Sequence, residues 1–510
     1  MLTGIAAITA GVLLAGCSAG ASTQSSTTAT SGATTSTGAG TGSGTDSLAI
    51  GFVLEPVSLD FTQADGAAIP QVLLDNVYET LVTLDDDGAL VPALASSWEV
   101  SADGLTYTFT LRDGVTFSDG APFTAEDAAF SIDRVKTAWK PSIKAGMDVV
   151  GSATATDPTT LTVTLNRPSN SWLYAMTGRI GAMFSRTGVD DLANTPIGTG
   201  PYTFADWTRG NSITLERNPE YWGEAPALAS VTYRYFQDPT AMNNALLTGG
   251  IQVISTVQTP ETLGQFSDSA KYQIVEGTTN AEVMMALNNS RAPLDDVRVR
   301  QAINSALDKQ AILDGAWDGY GTVIGSHEAP TDPWFVDLSG EYPHDVDRAK
   351  ALLAEAGQPN PTLTLTLPPV PYAQAAAPII VSQLAEAGIT VNATTVTFDV
   401  WLDQVFGNAD YDMTIIAHVE PRDLATIWGN PGYYTRYDNP QVQQLLAEGD
   451  AGTPEEFVAD YREVVELLAQ DAAAVWLWSL PNLLVADADV HGLPQNYLGE
   501  SFDLADLSVE

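Results

Sequence analysis

The chain has 510 residues, with 63 Asp and Glu against 21 Lys and Arg and a formal net charge of −42. That length suits two or three packing units with sizeable cores, and the charge excludes a nucleic-acid partner, because such a surface repels a phosphate backbone. The acidity points to solubility and a salty or cation-rich setting, not to a particular activity.

Residues 1–17 read MLTGIAAITAGVLLAGC. This apolar run is short for a membrane span and suits the h-region of a signal peptide. It closes on Leu14-Ala15-Gly16-Cys17, which resembles a bacterial lipobox, so Cys17 is expected to be lipidated and to become the first mature residue. Cys17 is the only cysteine, so it has no internal disulfide partner. No Lys or Arg precedes the run, and the true start is expected upstream. Residues 18–45 are almost wholly Ser, Thr, Gly and Ala without a charge, the composition of a flexible tether. A coil of that length spans about 30 Å.

Leu48–Val53 reads as a first buried strand. Pro70–Leu84 carries Val72, Leu73, Val77, Leu81 and Val82 at helical spacing, with Ala67–Ile69 as its entry. In Leu105–Leu111, Leu105, Tyr107, Phe109 and Leu111 share one face and threonines the other, the period of a half-buried strand. Asp103-Gly104, Asp113-Gly114 and Asp119-Gly120 mark turns, and Thr124, Glu126 and Asp127 open a helix. Leu161–Leu165 alternates again, and Pro196–Gly223 reads as two strands joined by a turn. Gly198 and Gly200 do not complete a G-x-G-x-x-G and precede no helix, so they read as structural glycines.

Val231–Phe236 predicts a strand, Pro239–Thr248 a helix, Val283–Asn289 a buried strand and Pro293–Leu313 one long helix. Arg298 and Arg300 on it are expected to pair with nearby acids. Asp347–Gly357 predicts a further helix. Leu363–Leu367, a helix over Ala373–Glu386 and Ile389–Val396 form a β-α-β unit, which requires parallel pairing. The strand Tyr411–Ala417 empties into His418-Val419-Glu420-Pro421-Arg422-Asp423, and ligands of open α/β sheets bind beyond such strand ends. Tyr461–Asp471 predicts a helix and Ala474–Ser479 an aromatic strand.

The ordered details of Ala93–Val135 resemble the signature of the extracellular solute-binding proteins of peptide/nickel-type ABC importers, solute-binding protein family 5. Ser97-Trp98, Asp103-Gly104, Thr106-Tyr107, Leu111-Arg112, Gly114-Val115, Phe117-Ser118-Asp119-Gly120, Thr124-Ala125, Asp127 and Arg134 fill that frame. Asn76–Val82, Pro196–Gly223, Pro293–Leu313 and Tyr437-Asp438-Asn439-Pro440 resemble further family segments, so the likeness covers about residues 48–505. It implies an α/β, two-lobe periplasmic-binding-protein-like fold (type II, large cluster C kind) with an extra subdomain inserted in lobe one. The implied division is a lipoprotein signal peptide over 1–17, a tether over 18–45, and lobe one over 46–84 and 196–276. The insertion takes 85–195, the second lobe 277–482, and 483–510 return to lobe one.

The resemblance implies a receptor that closes on a small ligand, most simply a di- or oligopeptide, and delivers it to ABC permease transmembrane subunits. It implies a monomer on the outer face of the cytoplasmic membrane, held by Cys17, without cofactor, metal or catalysis. In peptide-binding relatives an Asp after the Tyr411–Ala417 strand meets the peptide amine. Here Glu420 or Asp423 is the candidate for that role, and Arg422 or Arg436 for the peptide carboxylate. The alternative is a self-paired structural cluster of Glu420, Arg422 and Asp423. His418 raises a nickel-chelate reading, since imidazole suits nickel; oligosaccharides and opines are other ligands within the class. Val419 and Asn280 complete the candidate cleft, and backbone near Ala68 approaches ligand in relatives. Phe398, Trp401 and Trp428 are candidates for an apolar wall or for core.

A secreted hydrolase is the alternative of another class. No H-E-x-x-H, P-loop, G-x-S-x-G or cysteine pair supports it, and His327, His344, His418 and His491 are scattered. So many carboxylates give a paired-acid reading no specificity.

Overall fold

The computed structural model describes residues 46–510 apart from Asp65. The expected signal peptide, the expected tether and Cys17 lie outside the described residues.

Alternation builds the inserted subdomain. In the strand Thr106–Leu111, Tyr107, Phe109 and Leu111 are buried and the threonines face outward. It pairs antiparallel with Ala95–Val100 on one side and Thr160–Leu165 on the other, and Val150–Asp157 completes a four-stranded sheet. Gly104 turns the first hairpin with φ +68°, a conformation other residues adopt at a cost. The helix Ala125–Ala138 covers the inner face with Ala128, Ile132 and Val135, and Asp127 accepts from the Thr124 backbone N–H to cap it.

The main sheet has eleven strands. In the first lobe Ser47–Phe52 lies parallel to both Ser230–Tyr235 and Val253–Ile254, with Ser212–Arg217 and Tyr202–Thr208 antiparallel beyond. In the second lobe Thr362–Leu367 pairs parallel with Thr390–Thr395 and Met413–His418. The β-α-β expectation holds, its helix running over Pro371–Glu386. Two long antiparallel strands, Tyr272–Leu287 and Ala474–Asp487, run through both halves and join them. Their register shifts between Thr278 and Glu282 and again between Val283 and Met284. Successive residues of the first serve opposite cores: Val283, Met285 and Leu287 pack on one side of the second-lobe sheet, Met284 and Ala286 on the other.

Several elements differ from their sequence reading. The helix expected over Pro70–Leu84 stops at Leu73: Asp75 is left-handed at φ +59°, and the buried Asn76 amide binds the carbonyls of Val72 and Phe502. The stretch Asn76–Leu81 is not helical and instead receives the glycine segment. A Cβ on Gly198 would lie 1.8 Å from the Val77 carbonyl oxygen, and one on Gly200 2.4 Å from that of Asn76, so both glycines are required by close backbone approach. Glu79 is buried there between Tyr221 Oη (3.1 Å) and Trp222 Nε1 (2.9 Å), and burial pushes its carboxyl up to about 7. The expected long helix over Pro293–Leu313 is two, Val297–Ser305 and Lys309–Trp317, because Asp308 leaves the helical conformation to cap the second. Arg298 pairs with Asp296, as expected, but Arg300 is buried and donates to the carbonyls of Leu294, Asp471 and Ala472 rather than to acids.

Away from the long strands the lobes meet a second time. Asp450, near the end of the helix Pro440–Ala451, accepts from Ser169 Oγ (3.0 Å), Ser171 N (3.0 Å), Ser171 Oγ (2.5 Å) and Arg167 Nη1 (2.5 Å). The Asn170 amide caps the same helix end through the carbonyls of Gly449, Asp450 and Gly452. Desolvation acts to raise the Asp450 carboxyl, but the hydrogen bonds from Ser171, Arg167 and Ser169 outweigh it and hold the group below its ordinary value. The exposed Arg167 adds little; the buried donors carry the contact. Asp450→Ala is expected to cost about 1–3 kcal/mol by stripping those donors of their acceptor. Urea unfolding checks this, and an unchanged midpoint would refute it.

Candidate functional site

Three strands converge where the long pair changes register. Glu282 is paired across the sheet with His418 on one side and Ser479 on the other, and Ser479 also pairs with Thr322 of the short strand Thr322–Val323. The loop after that short strand brings in His327, Glu328 and Asp332, and the loop after His418 brings in Glu420, Arg422 and Asp423. Asp423 then leads into the helix Leu424–Trp428.

Asp423 lies between the two imidazoles. Its Oδ1 is 2.7 Å from His327 Nε2 and its Oδ2 3.6 Å from His418 Nδ1. His418 Nε2 is 2.9 Å from Tyr434 Oη. Glu282 is 4 % exposed and its Oε2 has no hydrogen-bond partner among the described residues. Asp332 accepts from the Ala329 backbone N–H (2.9 Å), and Glu328 from that of Val336 (3.3 Å). Arg422 Nε is 3.7 Å from Asp332 Oδ1, while its guanidinium sits 3.6 Å from the ring centre of Tyr174, a first-lobe residue. A cation–π contact therefore joins the lobes at the site.

Among the described residues Asp332 pairs with Arg422 at 3.7 Å, and no Lys or Arg lies within 4.0 Å of Glu282, Glu328, Glu420 or Asp423. Burial, reinforced by Asp423 and Asp332, raises Glu282 well above the ordinary carboxylate range. Burial raises Glu328 to about 8, and raises Asp332 to about 6 against the opposing charge of Arg422. Desolvation and then the Asp423 charge raise Glu420. Burial lowers His418 to about 4, although Asp423 opposes that shift. A desolvated, proton-retaining carboxylate group of this kind favours an incoming cation, either an ammonium or a metal ion. Glu282, Asp332 and Asp423 line a narrow crevice with Asn280, Trp334 and Leu424 that is too tight for a water-sized sphere.

The self-paired reading of the loop does not hold. Arg422 turns to Asp332 and Tyr174, and Asp423 turns to the histidines, because buried partners from other segments outcompete neighbours in the chain. Glu420 and Val419 are exposed at the rim. Asn280 donates to the Leu498 carbonyl (2.6 Å). Trp428 and Trp401 belong to the core; Trp401 Nε1 donates to Thr414 Oγ1 (2.9 Å), and Phe398, 44 % exposed, stacks on it. Arg436 donates to the Gly432 carbonyl of its own turn (2.6 Å), and Ala68 is buried at the start of the helix Ala68–Leu73. Sequence reading missed Glu282, His327, Glu328 and Asp332. They come from separate segments with no motif spacing; only the adjacency of His327 and Glu328 was visible.

His418 gives a direct check on this electrostatic account. Its lowered value means that the unfolded chain takes up the proton first as pH falls, so its contribution to stability is present above about pH 6.5 and is lost toward pH 4. The imidazole resonances of His418 are expected to titrate near pH 4 by NMR. Titration of His418 near 6.5 would show that its site is wet.

A family model described as "Bacterial extracellular solute-binding proteins, family 5 Middle" matches residues 89–443. The chain is 33 % identical over 295 residues to the nickel-binding periplasmic protein of Escherichia coli (strain K12), a match covering 55 % of this chain and 56 % of that one, so it spans little more than half of that relative. It is 28 % identical over 500 residues to the probable D,D-dipeptide-binding periplasmic protein DdpA of the same organism, covering 91 % and 94 %. Among solved structures, the ABC transporter substrate binding protein CtaP of Listeria monocytogenes superposes with a TM-score of 0.82 at 25 % identity, over 91 % of this chain and 99 % of that one.

Proposed function

The chain belongs to family 5 of the bacterial extracellular solute-binding proteins, and from that premise we propose that it is the capture subunit of an ABC importer. It takes a di- or oligopeptide outside the membrane and hands it to the permease, making and breaking no bond. The observation that carries this reading is the cleft carboxylate group with the Arg422 guanidinium beside Asp332. A peptide brings one ammonium and one carboxylate, and Asp423 with Glu420 on one hand and Arg422 on the other match that charge pair. The D,D-dipeptide relative supports a peptide ligand.

The long strand pair supplies the hinge. Its ladder is interrupted between Thr278 and Glu282, where a change of a few backbone angles opens the lobes at little cost in hydrogen bonds. The proposed boundaries follow: lobe one over 46–84 and 196–276, the insertion over 85–195, lobe two over 277–482 and the return over 483–510. Lipidation of Cys17 holds the receptor as a monomer on the outer membrane face, and the uncharged stretch 18–45 gives it reach.

Native mass spectrometry of the full chain, purified without denaturation, tests the reading. A co-purified peptide population at one per chain is expected. Asp423→Ala is expected to weaken peptide binding by about 2–5 kcal/mol, the cost of leaving an ammonium unpaired in a desolvated site. A discrete sugar in place of peptides would refute the ligand, and stoichiometric cleavage of an added peptide would refute the receptor.

A further inference from the structure

The segment Arg167–Tyr174 of the inserted subdomain reaches the second lobe at both of its ends. At one end Ser169 Oγ, Ser171 N and Ser171 Oγ donate to the Asp450 carboxylate. The Asn170 amide donates beside them to the closing carbonyls of the helix Pro440–Ala451. At the other end the Tyr174 ring lies under the Arg422 guanidinium of the loop His418–Asp423. Tyr174 is 7 % exposed, yet it stands outside the first-lobe apolar core that takes in its neighbours Trp172 and Leu173. Arg422 in turn is not held by its own loop. Its backbone is left-handed at φ +53°, and its buried Nε has no hydrogen-bond partner among the described residues. The Tyr174 ring and the Asp332 charge keep it in place.

The chemistry of this contact makes it reversible. An apolar seam loses its burial when it parts, whereas serines, an amide and a carboxylate exchange their hydrogen bonds for water at small net cost. It also favours a whole contact or none, because a half-parted one would leave the buried Asp450 desolvated without its donors. We propose that Arg167–Tyr174 is a clasp that shuts the receptor without help from cargo and, through Tyr174, sets the place of Arg422 beside the capture site. A rotation about the ladder break that opens the cleft lifts Tyr174 off Arg422. On the same short segment it draws Ser169 and Ser171 off Asp450. These serines and Asn170 are positioning residues that touch no cargo. The inserted subdomain thereby fixes the fraction of empty receptor that is closed. Cargo held in the closed form and the clasp favour each other by the same factor, so a weaker clasp shows as faster release.

This inference rests on the lobes opening about the long strand pair, as proposed above, and not on the identity of the cargo.

The test is hydrogen–deuterium exchange of the full chain, dialysed free of small ligands, with small-angle scattering alongside. Asp450→Asn is nearly isosteric. It is expected to raise exchange about 10-fold in Asn170–Ala175 and at the end of Pro440–Ala451. The same rise is expected at Thr278–Glu282, which the clasp does not touch, together with a larger radius of gyration. Tyr174→Leu is expected to act alike although it leaves the groups that bond Asp450 intact, and Tyr174→Phe, which keeps the ring, to match the unaltered chain. Ser171→Ala removes one side-chain donor and is expected to shift both readouts the same way by less, which keeps the test open if Asp450→Asn folds poorly. Glu448→Gln alters an exposed carboxylate of the same helix, bonded to Gln444, and leaves both readouts unchanged. Faster exchange confined to the two clasp segments, with scattering unchanged, would show a fixed seam and overturn the proposal. Exchange unaffected by both Asp450→Asn and Tyr174→Leu would overturn it too. A chain that carries no peptide in native mass spectrometry yet answers to the clasp variants as expected would remove the peptide and leave the clasp standing.

Discussion

Everything at the cleft depends on one antiparallel ladder. Tyr272–Leu287 and Ala474–Asp487 are hydrogen-bonded along most of their length, yet the first half of the pairing belongs to one lobe and the second half to the other. A strand pair is stiff along its axis and soft where its ladder is broken. The break between Thr278 and Glu282 is therefore both the place of the proposed hinge and the place where a side chain can leave the pleat and face the cleft. Glu282 is the residue that emerges there. The second shift, between Val283 and Met284, sends Trp476 and Trp478 into opposite cores although they are two residues apart, which fills both faces of the second-lobe sheet with indole rings.

The charge of the molecule has two regimes. Most of the carboxylates behind the net charge of −42 sit in water, where screening makes each of little consequence. Glu282 and Glu328 at the cleft are buried and Asp332 nearly so, and there burial moves their proton affinities upward. Residues of the same type are thus hydrated outside and desolvated inside. Composition reports only the first.

Two of the contacts that cross between the lobes away from the ladder are of opposite kinds. Arg422 over Tyr174 is an electrostatic contact at the site itself, while Asp450 with Ser169, Asn170 and Ser171 is a helix-end clasp on the far side of Tyr174 in the chain. Both use the helix Asn170–Ala175 and its entry, so the inserted subdomain takes part in the meeting of the lobes.

Strands with period-2 alternation, such as Thr106–Leu111 and Thr160–Leu165, were legible residue by residue, because one face of each is buried and the other is wet. The β-α-β unit was legible as well, since a crossover helix leaves parallel pairing as the only solution. The family signature fixed the two-lobe fold through its ordered Gly, Pro and aromatic positions. Helix ends were not legible: the periodicity of Pro70–Leu84 continued past Asp75, but the Asn76 amide found better acceptors in the distant Phe502 and the nearby Val72. The cleft was half legible. Strand-end logic pointed to His418–Asp423, whereas Glu282, His327 and Asp332 are brought there by three-strand convergence at Ser479. Local sequence therefore determined which segments are strands, helices and turns, and the family pattern determined how they are connected. Only the tertiary structure decided which charges share a buried space, because hydrogen bonding and desolvation act between neighbours in space whose separation along the chain carries no signal.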